Sequence, residues 1–377
     1  NRDLSCRFFE MATPKIHVDG SRIGYALGNI VLLKGVNSDS GQWWDGTSNY
    51  SEQQLIYMKN WGCTAVRITI QGYSIEAGVM NNPRFLTRLD NMIAWAQKHG
   101  LYVILDGVQL SGNHPLGFYR SRVDRYMTEV WSWTAWFNHW TQLATRYVGR
   151  GIIYDLINEP LYWPLDDHQT KMRQCIDNIR AIDPDAIIMI EEVSPVSWEG
   201  QGFGFEQTNP INRSNIIYSL HVYGYHTSSN SDSSMRSLLT KHKADWMLAN
   251  GRCVQFGEFG PGYNGDPNYP WNSWQAEFLR SFMRVADQDG YSGYCAWRWV
   301  SGGWTCEKLL ADYNGHPSPY GTILMEGLIP VDTDYVSLVS DLAMNFTVNG
   351  SQYPQGTILQ VPIGSLLNIS VPAVVLT

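Results

Sequence analysis

Two glutamates that closely follow short apolar runs are the strongest candidates for chemistry in this chain. Glu159 follows the largely apolar residues 152–157 and precedes Pro160, and Glu258 follows residues 253–257. Buried parallel strands read as short apolar runs bounded by turn signals. Because proline cannot continue a strand ladder, Glu159 is expected where a strand becomes a loop. There it is either a catalytic acid or the N-terminal cap of a following helix.

Eight largely apolar runs mostly alternate with segments of helical pattern, such as residues 168–181 and 233–250, and this order predicts how the glutamates are positioned. The alternation is typical of the α/β class and favours a (β/α)8 TIM barrel. A doubly wound open sheet is the alternative, but no Gly-rich phosphate loop follows the first strand. In a barrel, strands four and seven would bring Glu159 and Glu258 to opposite sides of one mouth. The runs cover residues 30–37, 64–70, 101–106, 152–159, 186–191, 215–221, 253–258 and 293–299.

The sequence pattern changes beyond residue 330. Residues 1–330 are predicted to form the barrel, with an N-terminal β-hairpin that turns at Asp19-Gly20. Residues 331–377 contain short β-type runs separated by Gly and Pro, which predicts a small C-terminal β-rich extension. A segment of this length is only marginally stable as an independent domain. This tail therefore either packs on the barrel or begins a β-sandwich module.

Further polar and aromatic side chains fall at the carboxyl ends of the predicted strands and would share the mouth with the two glutamates. Two facing carboxylates with one proton between them are what glycoside hydrolysis uses. The residues at the strand ends are Asn37, Arg67, Asp106, Asn158, Glu191, His221, Tyr223 and Trp297.

Four motifs in this order resemble glycoside hydrolase family 5, the cellulase-type family of clan A. They are Arg67, Asn158-Glu159-Pro160, His221-Val222-Tyr223 and Gly257-Glu258-Phe259-Gly260. An Asn-Glu-Pro tripeptide is weak evidence by itself, but four motifs on the expected strands are a strong signal. The resemblance covers roughly residues 15–328.

The resemblance implies a retaining double-displacement mechanism. Glu159 would be the general acid/base and Glu258 the nucleophile that forms a glycosyl-enzyme intermediate. Arg67 is the natural cation to keep Glu258 ionised. Such an enzyme needs no cofactor and no metal, and we find no ligand cluster for one in the sequence.

The remaining motif residues are expected to bind the sugar. Asn158 would hydrogen-bond the sugar 2-hydroxyl, and Tyr223 would donate a hydrogen bond to the nucleophile. His221 shares the strand face of Tyr223 and would bind substrate hydroxyls. Trp297 is preferred as the sugar platform over Trp299, which has the same strand parity.

Each assignment has a structural alternative, and one position departs from the family. Arg67 could be a structural ion pair and His221 a core histidine, while Glu191 and Glu192 are interpreted as supporting residues. The family usually has a histidine two residues after the aspartate that ends strand three. Here Asp106 is followed by Gly107-Val108-Gln109, so either Gln109 or His114 replaces that contact or the contact is absent.

The chain holds 16 Trp and 21 Tyr, and many of them fall in loops that follow the predicted strands. Aromatic platforms combined with polar groups are typical of polysaccharide clefts. We therefore predict an endo-acting β-glycanase with a long cleft, preferring β-1,4-glucan, with β-mannan second and β-1,3-glucan also open. The possible subsite aromatics are Trp43, Trp44, Trp163, Trp198, Trp271 and Trp304.

Two other kinds of protein remain as alternatives. A non-catalytic carbohydrate-binding barrel would fit the aromatics but gives no reason for both Glu159 and Glu258. A metal-dependent hydrolase on the same fold should show clustered histidines after its strands, whereas the nine His of this chain are dispersed.

Composition bears on partners and compartment. Charged residues make up 16% of the chain and the net charge is −8, which argues against a nucleic-acid partner and against a basic membrane-binding face. The expected partner is a β-glucan, and the protein is expected to act as a secreted, extracellular monomer. No signal peptide is visible, although a sequence that starts at Asn1 could have lost one. Cys295 and Cys306 could form one disulfide across a loop.

Overall fold

Eight parallel strands close into a barrel, which confirms the predicted fold class. The computed structural model describes residues 13–25, 29–38, 50–71, 83–109, 133–160, 163–193, 202–262, 271–302 and 307–328, together with short strands between 334 and 370. Strand order around the barrel is β10-β3-β4-β5-β6-β7-β8-β9. The barrel strands are β3 (Leu33–Ser38), β4 (Ala65–Gln71), β5 (Tyr102–Gln109), β6 (Ile153–Asp155), β7 (Ile187–Glu191), β8 (Ile216–Tyr223), β9 (Cys253–Gly260) and β10 (Gly293–Trp299).

Helices follow the barrel strands, and two of those described begin at a residue whose side chain caps the first turn, Ser231 and Asn272. Asn272 caps the helix Ser273–Gln288 by accepting from the backbone N–H of Gln275, whose side chain accepts from the N–H of Asn272 in return. The helices in the described ranges are α1 (Glu52–Asn60), α2 (Pro83–Lys98), α3 (Trp133–Tyr147), α4 (Leu165–Arg180), α5 (Gly204–Thr208), α6 (Asp232–Lys241), α7 (Ala244–Ala249), α8 (Ser273–Gln288) and α9 (Pro319–Leu328).

Two helix predictions need correction. The pattern at 233–250 predicts one helix, but the chain forms α6 and α7 with Lys243 between them in the left-handed region, at φ 64°. That conformation cannot continue a right-handed helix. The helix predicted at 168–181 begins earlier, at Leu165, directly after Pro164.

A β-hairpin lies against the amino-terminal end of the barrel. Strands β1 (Ile16–Asp19) and β2 (Arg22–Tyr25) pair antiparallel. Ile16 and Ile23 are buried in one cluster with the first inward-facing residues of the barrel strands. This cluster removes the lower end of the barrel from water, which is the main stabilising effect of apolar burial.

The chain divides into two compact units, residues 1–325 and 326–377. In the second unit, β11 (Asp334–Ser337) pairs antiparallel with β14 (Ile358–Val361). Strand β12 (Asn345–Val348) pairs with β13 (Ser351–Pro354) and with β15 (Ile369–Ser370). The β-rich character expected beyond residue 330 is therefore present, and its role stays a prediction.

Cys295 carries a free, buried thiol, so the disulfide considered with Cys306 does not form. The cysteine lies on an inward position of β10, within the apolar cluster of the barrel. Across the described ranges, no helix combines the length and the apolar character that a membrane crossing requires.

Candidate active site

Glu159 lies where the chain leaves the barrel wall. Strand β6 ends at Asp155, after which the backbone N–H of Leu156 donates to Met189 and that of Asn158 to Gly107. Glu159 itself is left-handed, at φ 45°. A regular strand would turn Asn158 and Glu159 to opposite faces, and this break lets both side chains reach the mouth. The helix-cap alternative is excluded because α4 begins at Leu165 with Pro164 as its N-cap residue.

Glu258 is buried on β9 and is held at both carboxylate oxygens. Arg67 Nη1 donates to Oε1 at 3.0 Å, and the Tyr223 hydroxyl donates to Oε2 at 2.5 Å. Burial and the neighbouring Glu258 charge raise the pKa of Tyr223 well above its usual value. Tyr223 therefore stays a neutral donor, and together with Arg67 it holds the carboxyl group of Glu258 in one orientation.

His221 lies between the two glutamates. Its Nδ1 is 3.0 Å from Glu159 Oε1 and 3.7 Å from Glu258 Oε2. Burial lowers the pKa of His221, but Glu191, Glu258 and Glu159 together raise it well above its usual value. The imidazolium therefore links both carboxyl groups electrostatically.

Gly257 explains how the imidazole of His221 can come so close to β9. A Cβ at this position would lie 2.9 Å from His221 Nε2 and 2.4 Å from Ser219 Oγ. Glycine is the residue that fits such a close approach. The glycine before Glu258 in the sequence motif thus makes room for the histidine that contacts Glu258.

Arg67 is completely buried and organises the layer beneath the two glutamates. Its guanidinium has five N–H donors, and each finds an acceptor. Asp106 adds a further ion-pair contact, with Oδ1 3.0 Å from Nη2. The acceptors are Asp155 at 2.9 Å from Nε, Asn37 at 2.9 Å and Glu258 at 3.0 Å from Nη1, and Asn158 at 2.9 Å and Glu191 at 2.8 Å from Nη2.

This layer contains more carboxyl groups than cations, and the excess of carboxyl groups shifts the pKa values of its members. Burial and the neighbouring acids raise the pKa of Asp155 to about 7, although Arg67 opposes the shift. Burial likewise raises the pKa of Asp106 well above its usual value. Burial disfavours the charge on Arg67, but the surrounding acids raise its pKa well above the usual value. The layer therefore keeps Arg67 charged and retains protons on the deeper aspartates.

Two groups of side chains within the described ranges have the composition of a metal site. Glu159, His221 and Glu258 form one, with ligand atoms within 4.8 Å of one another. Asp106, Asp155 and Glu191 form the other. In the second group the guanidinium of Arg67 already lies where a cation would bind, so this group is accounted for as an arginine site.

Comparison with known proteins places the chain in a family. A model of the family described as cellulase (glycosyl hydrolase family 5) matches residues 26–303. The chain belongs to glycosyl hydrolase family 5. An endoglucanase of Clostridium saccharobutylicum is 28% identical over 311 residues, which are 78% of this chain and 62% of that protein. The chain thus spans less than two thirds of the length of this relative.

Solved structures of two glucanases share the fold. The catalytic domain of Thermobifida fusca endoglucanase Cel5A, solved with cellotetraose, has a TM-score of 0.64 at 21% identity, covering 84% of this chain and 97% of that chain. A β-glucanase of Saccharophagus degradans has a TM-score of 0.68 at 19% identity, covering 85% and 94%. At these identities the likeness establishes the barrel.

Within this family 5 chain, the structure separates the two tryptophans considered for the sugar platform. Trp299 is buried, packs on Trp61 with ring centroids 4.6 Å apart, and donates through Nε1 to Gln54. Trp297 is half-buried and therefore keeps part of its surface available. This difference favours Trp297 as the platform. Asn158 is buried, and its bond to Arg67 fixes the orientation of its amide.

Trp163 corrects one of the predicted subsite aromatics. Its side chain is fully buried, stacks on Trp133 with centroids 4.9 Å apart, and donates to Asp167. A ring enclosed in this way has no face to offer a sugar. Trp271 is half-buried, with its ring 6.3 Å from that of Tyr320. Other predictions lie outside the described side chains: Trp43, Trp44, Trp198, Trp304, Gln109 and His114.

Two acids have a larger part in the site than the sequence suggested. Asp155, within the apolar run before Glu159, was not singled out, although an acid at an inward position of a buried strand is itself a signal. Glu191 was interpreted as a supporting residue. The structure brings both to Arg67, at 2.9 Å and 2.8 Å.

Proposed function

We propose that this protein is a retaining endo-β-1,4-glucanase that hydrolyses cellulose-type β-glucan by double displacement. One observation carries the mechanistic part of the proposal: carboxylate oxygens of Glu159 and Glu258 lie within 4.8 Å of each other. Retaining glycosidases hold their two carboxyl groups about 5–5.5 Å apart, whereas inverting enzymes need about 6.5–9.5 Å to admit a water. The short separation supports retention.

The chemical roles follow from the contacts of each glutamate. Glu258, ionised and aimed by Arg67 and Tyr223, attacks the anomeric carbon while the bond to the leaving-group oxygen breaks. Glu159 gives its proton to that oxygen, which leaves a covalent glycosyl-enzyme. In the second step Glu159 takes a proton from water as the water attacks the anomeric carbon, and Glu258 is released.

The substrate assignment is supported by the relatives and by the half-buried Trp297. The Clostridium saccharobutylicum relative is named an endoglucanase, and the Thermobifida fusca structure holds cellotetraose. Aromatic faces bind the apolar faces of sugar rings. Because an insoluble polysaccharide must be attacked where it lies, we also propose that the protein acts outside the cell.

The stereochemistry of the first product tests the mechanism directly. Cellopentaose hydrolysis followed by proton NMR should show the β-anomer first, before mutarotation. An initial α-anomer would rule out double displacement. The substrate is tested in parallel with soluble cellulose, mannan and β-1,3-glucan derivatives, and the highest kcat/KM is expected on cellulose. A large fall in the viscosity of the cellulose derivative while few reducing ends have been released would establish endo action. A higher kcat/KM on mannan would overturn the glucan assignment.

A further inference from the structure

Glu191, at the carboxyl end of β7, contacts three parts of the site at once. Oε2 accepts the backbone N–H of Glu159 at 2.5 Å. Oε1 accepts from Arg67 Nη2 at 2.8 Å and lies 3.1 Å from His221 Nε2. The side chain is 2% exposed. It thus touches the backbone of the acid/base, the histidine beside the acid/base, and the arginine that holds the nucleophile.

The backbone contact answers a conformational problem at Glu159. A non-glycine residue with φ 45° lies in the left-handed region, which L-residues adopt at a cost of about 1–2 kcal/mol. Such conformations persist when the surroundings hold them. The carboxylate of Glu191 accepts the N–H of this residue, and a charged acceptor makes a stronger hydrogen bond than a neutral one.

The histidine contact places the imidazole against the same carboxyl group. Nδ1 of His221 lies 3.0 Å from Glu159 Oε1, and Nε2 faces Glu191. The Nε2–H is not aligned for a regular hydrogen bond. Glu191 Oε1 is nevertheless close enough, at 3.1 Å, to stabilise this proton electrostatically. Because the buried Nε2 lies opposite the carboxylate of Glu191, Nε2 carries a proton in both the neutral and the charged ring. Nδ1 is then the nitrogen that faces Glu159 in both forms of the ring.

We propose that Glu191 is a positioning residue for the acid/base: it fixes the left-handed backbone of Glu159 and turns His221 so that Nδ1 meets the Glu159 carboxyl group. The inference rests on the proposed function and deepens it. Without Glu191, the Glu159 carboxyl group is free to move off the line to the leaving-group oxygen. A misplacement of about 1 Å can lower a rate by roughly 10²-fold.

The neighbouring residue provides a matched control. Glu192 points to the other side of the strand, where Oε2 lies 2.7 Å from His242 Nδ1 and accepts the N–H of Gly202. Glu192→Gln therefore makes the same chemical change one residue away, without touching Glu159. Asp155→Asn provides a second control, because Asp155 reaches the site through Arg67 and so through the nucleophile.

The experiment compares kcat/KM on two aryl cellobiosides with different leaving groups. Phenol leaves poorly and needs the proton of the acid/base, whereas dinitrophenol leaves well without it. Glu191→Gln should lower kcat/KM about 10²-fold on the phenyl substrate and less than about tenfold on the dinitrophenyl substrate. Asp155→Asn should lower both by similar factors, and Glu192→Gln should leave both near wild type.

A double-mutant cycle with Glu159→Ala gives the decisive readout. If Glu191 acts through Glu159, Glu191→Gln should lower the residual activity of the Glu159→Ala variant by less than about threefold, because coupled residues are non-additive. A full, additive loss would overturn the proposal, as would equal losses on the two substrates. Glu191→Gln keeps the shape of the side chain, and its fold is checked by thermal unfolding against Glu192→Gln.

Failure of the proposed function gives a different result. If the wild type cleaves neither cellulose derivatives nor either aryl cellobioside, the glucanase assignment is wrong. If the wild type cleaves them and Glu191→Gln behaves like Asp155→Asn, the glucanase assignment stands and the positioning role of Glu191 is wrong.

Discussion

The interior of the barrel has two ends of opposite character, built by the same strands. The amino-terminal layer is apolar and is closed by the hairpin. On four strands the next inward residue, two positions further along, is ionisable and buried, and these four residues are called the charged layer. Four strands show this change directly, in the pairs Ala65 and Arg67, Ile104 and Asp106, Ile153 and Asp155, and Met189 and Glu191.

This difference shows what each layer demands of its residues. The apolar layer needs volume and apolar surface, which several side chains can provide. In the charged layer each group depends on the others, because five acceptors satisfy the five donors of Arg67. Removing one partner leaves an uncompensated buried charge. We therefore expect changes in the apolar layer to reduce stability alone, and changes in the charged layer to reduce both stability and catalysis.

Glu258→Ala should give the largest effect and tests the glutamate that the charged layer supports through Arg67. Loss of the nucleophile should lower kcat on cellulose derivatives by about 10⁵-fold. Azide should occupy the space left by the carboxylate and restore turnover on aryl cellobiosides, with a product of inverted configuration. Azide rescue with retained configuration would contradict the nucleophile assignment. The unfolding temperature should also fall, because Arg67 Nη1 loses a buried acceptor.

Asp155→Asn tests whether the charged layer stores a proton. The pKa of Asp155 is raised from 3.8 to about 7 by burial and neighbouring acids. The folded chain therefore binds more protons than the unfolded chain between about pH 4 and 7. The stabilisation is fully present below pH 4 and is lost as the pH rises through 7, by up to about 4 kcal/mol. The asparagine variant does not titrate and should escape this loss.

The measurement is the free energy of unfolding of both proteins in urea at pH 4, 6 and 8. The variant should gain on the wild type as the pH rises. A constant difference across this range would show that Asp155 does not hold its proton in the folded protein. The difference between the two proteins also removes the contribution of surface carboxylates such as Asp177 and Asp232, whose pKa values shift downwards beside arginines.

Much of the barrel and the positions of the two glutamates could be predicted because they depend on local pattern. Apolar runs, turn residues and a proline at 160 mark strand ends, and the barrel topology then brings Glu159 and Glu258 together. The burial of Trp163 could not be predicted, because it depends on a stack with Trp133 and on where α4 begins. A loop tryptophan has the same local pattern whether it faces solvent or a helix.

The network around Arg67 was only partly predictable, for a related reason. The alternation of side chains along a strand places Asp155 and Glu191 on the inward face. Register and shear around the barrel then decide which inward residues lie at the same height. The left-handed conformation at Lys243 was also invisible to the helical pattern, which continues across it. Contacts between strands therefore carry the information that the linear pattern lacks.

Ile153→Val should give the smallest effect and tests the apolar layer of the barrel. Ile153 is fully buried and lies on the same strand as Asp155, two residues earlier. Removal of one methylene should lower the free energy of unfolding by about 1 kcal/mol at every pH, because no titrating group is touched. At a temperature where the variant is folded, kcat/KM on cellulose derivatives should equal that of the wild type. A loss of activity in the folded variant would mean that the apolar layer sets the geometry of the charged layer, and the two ends of the barrel would have to be treated as one unit.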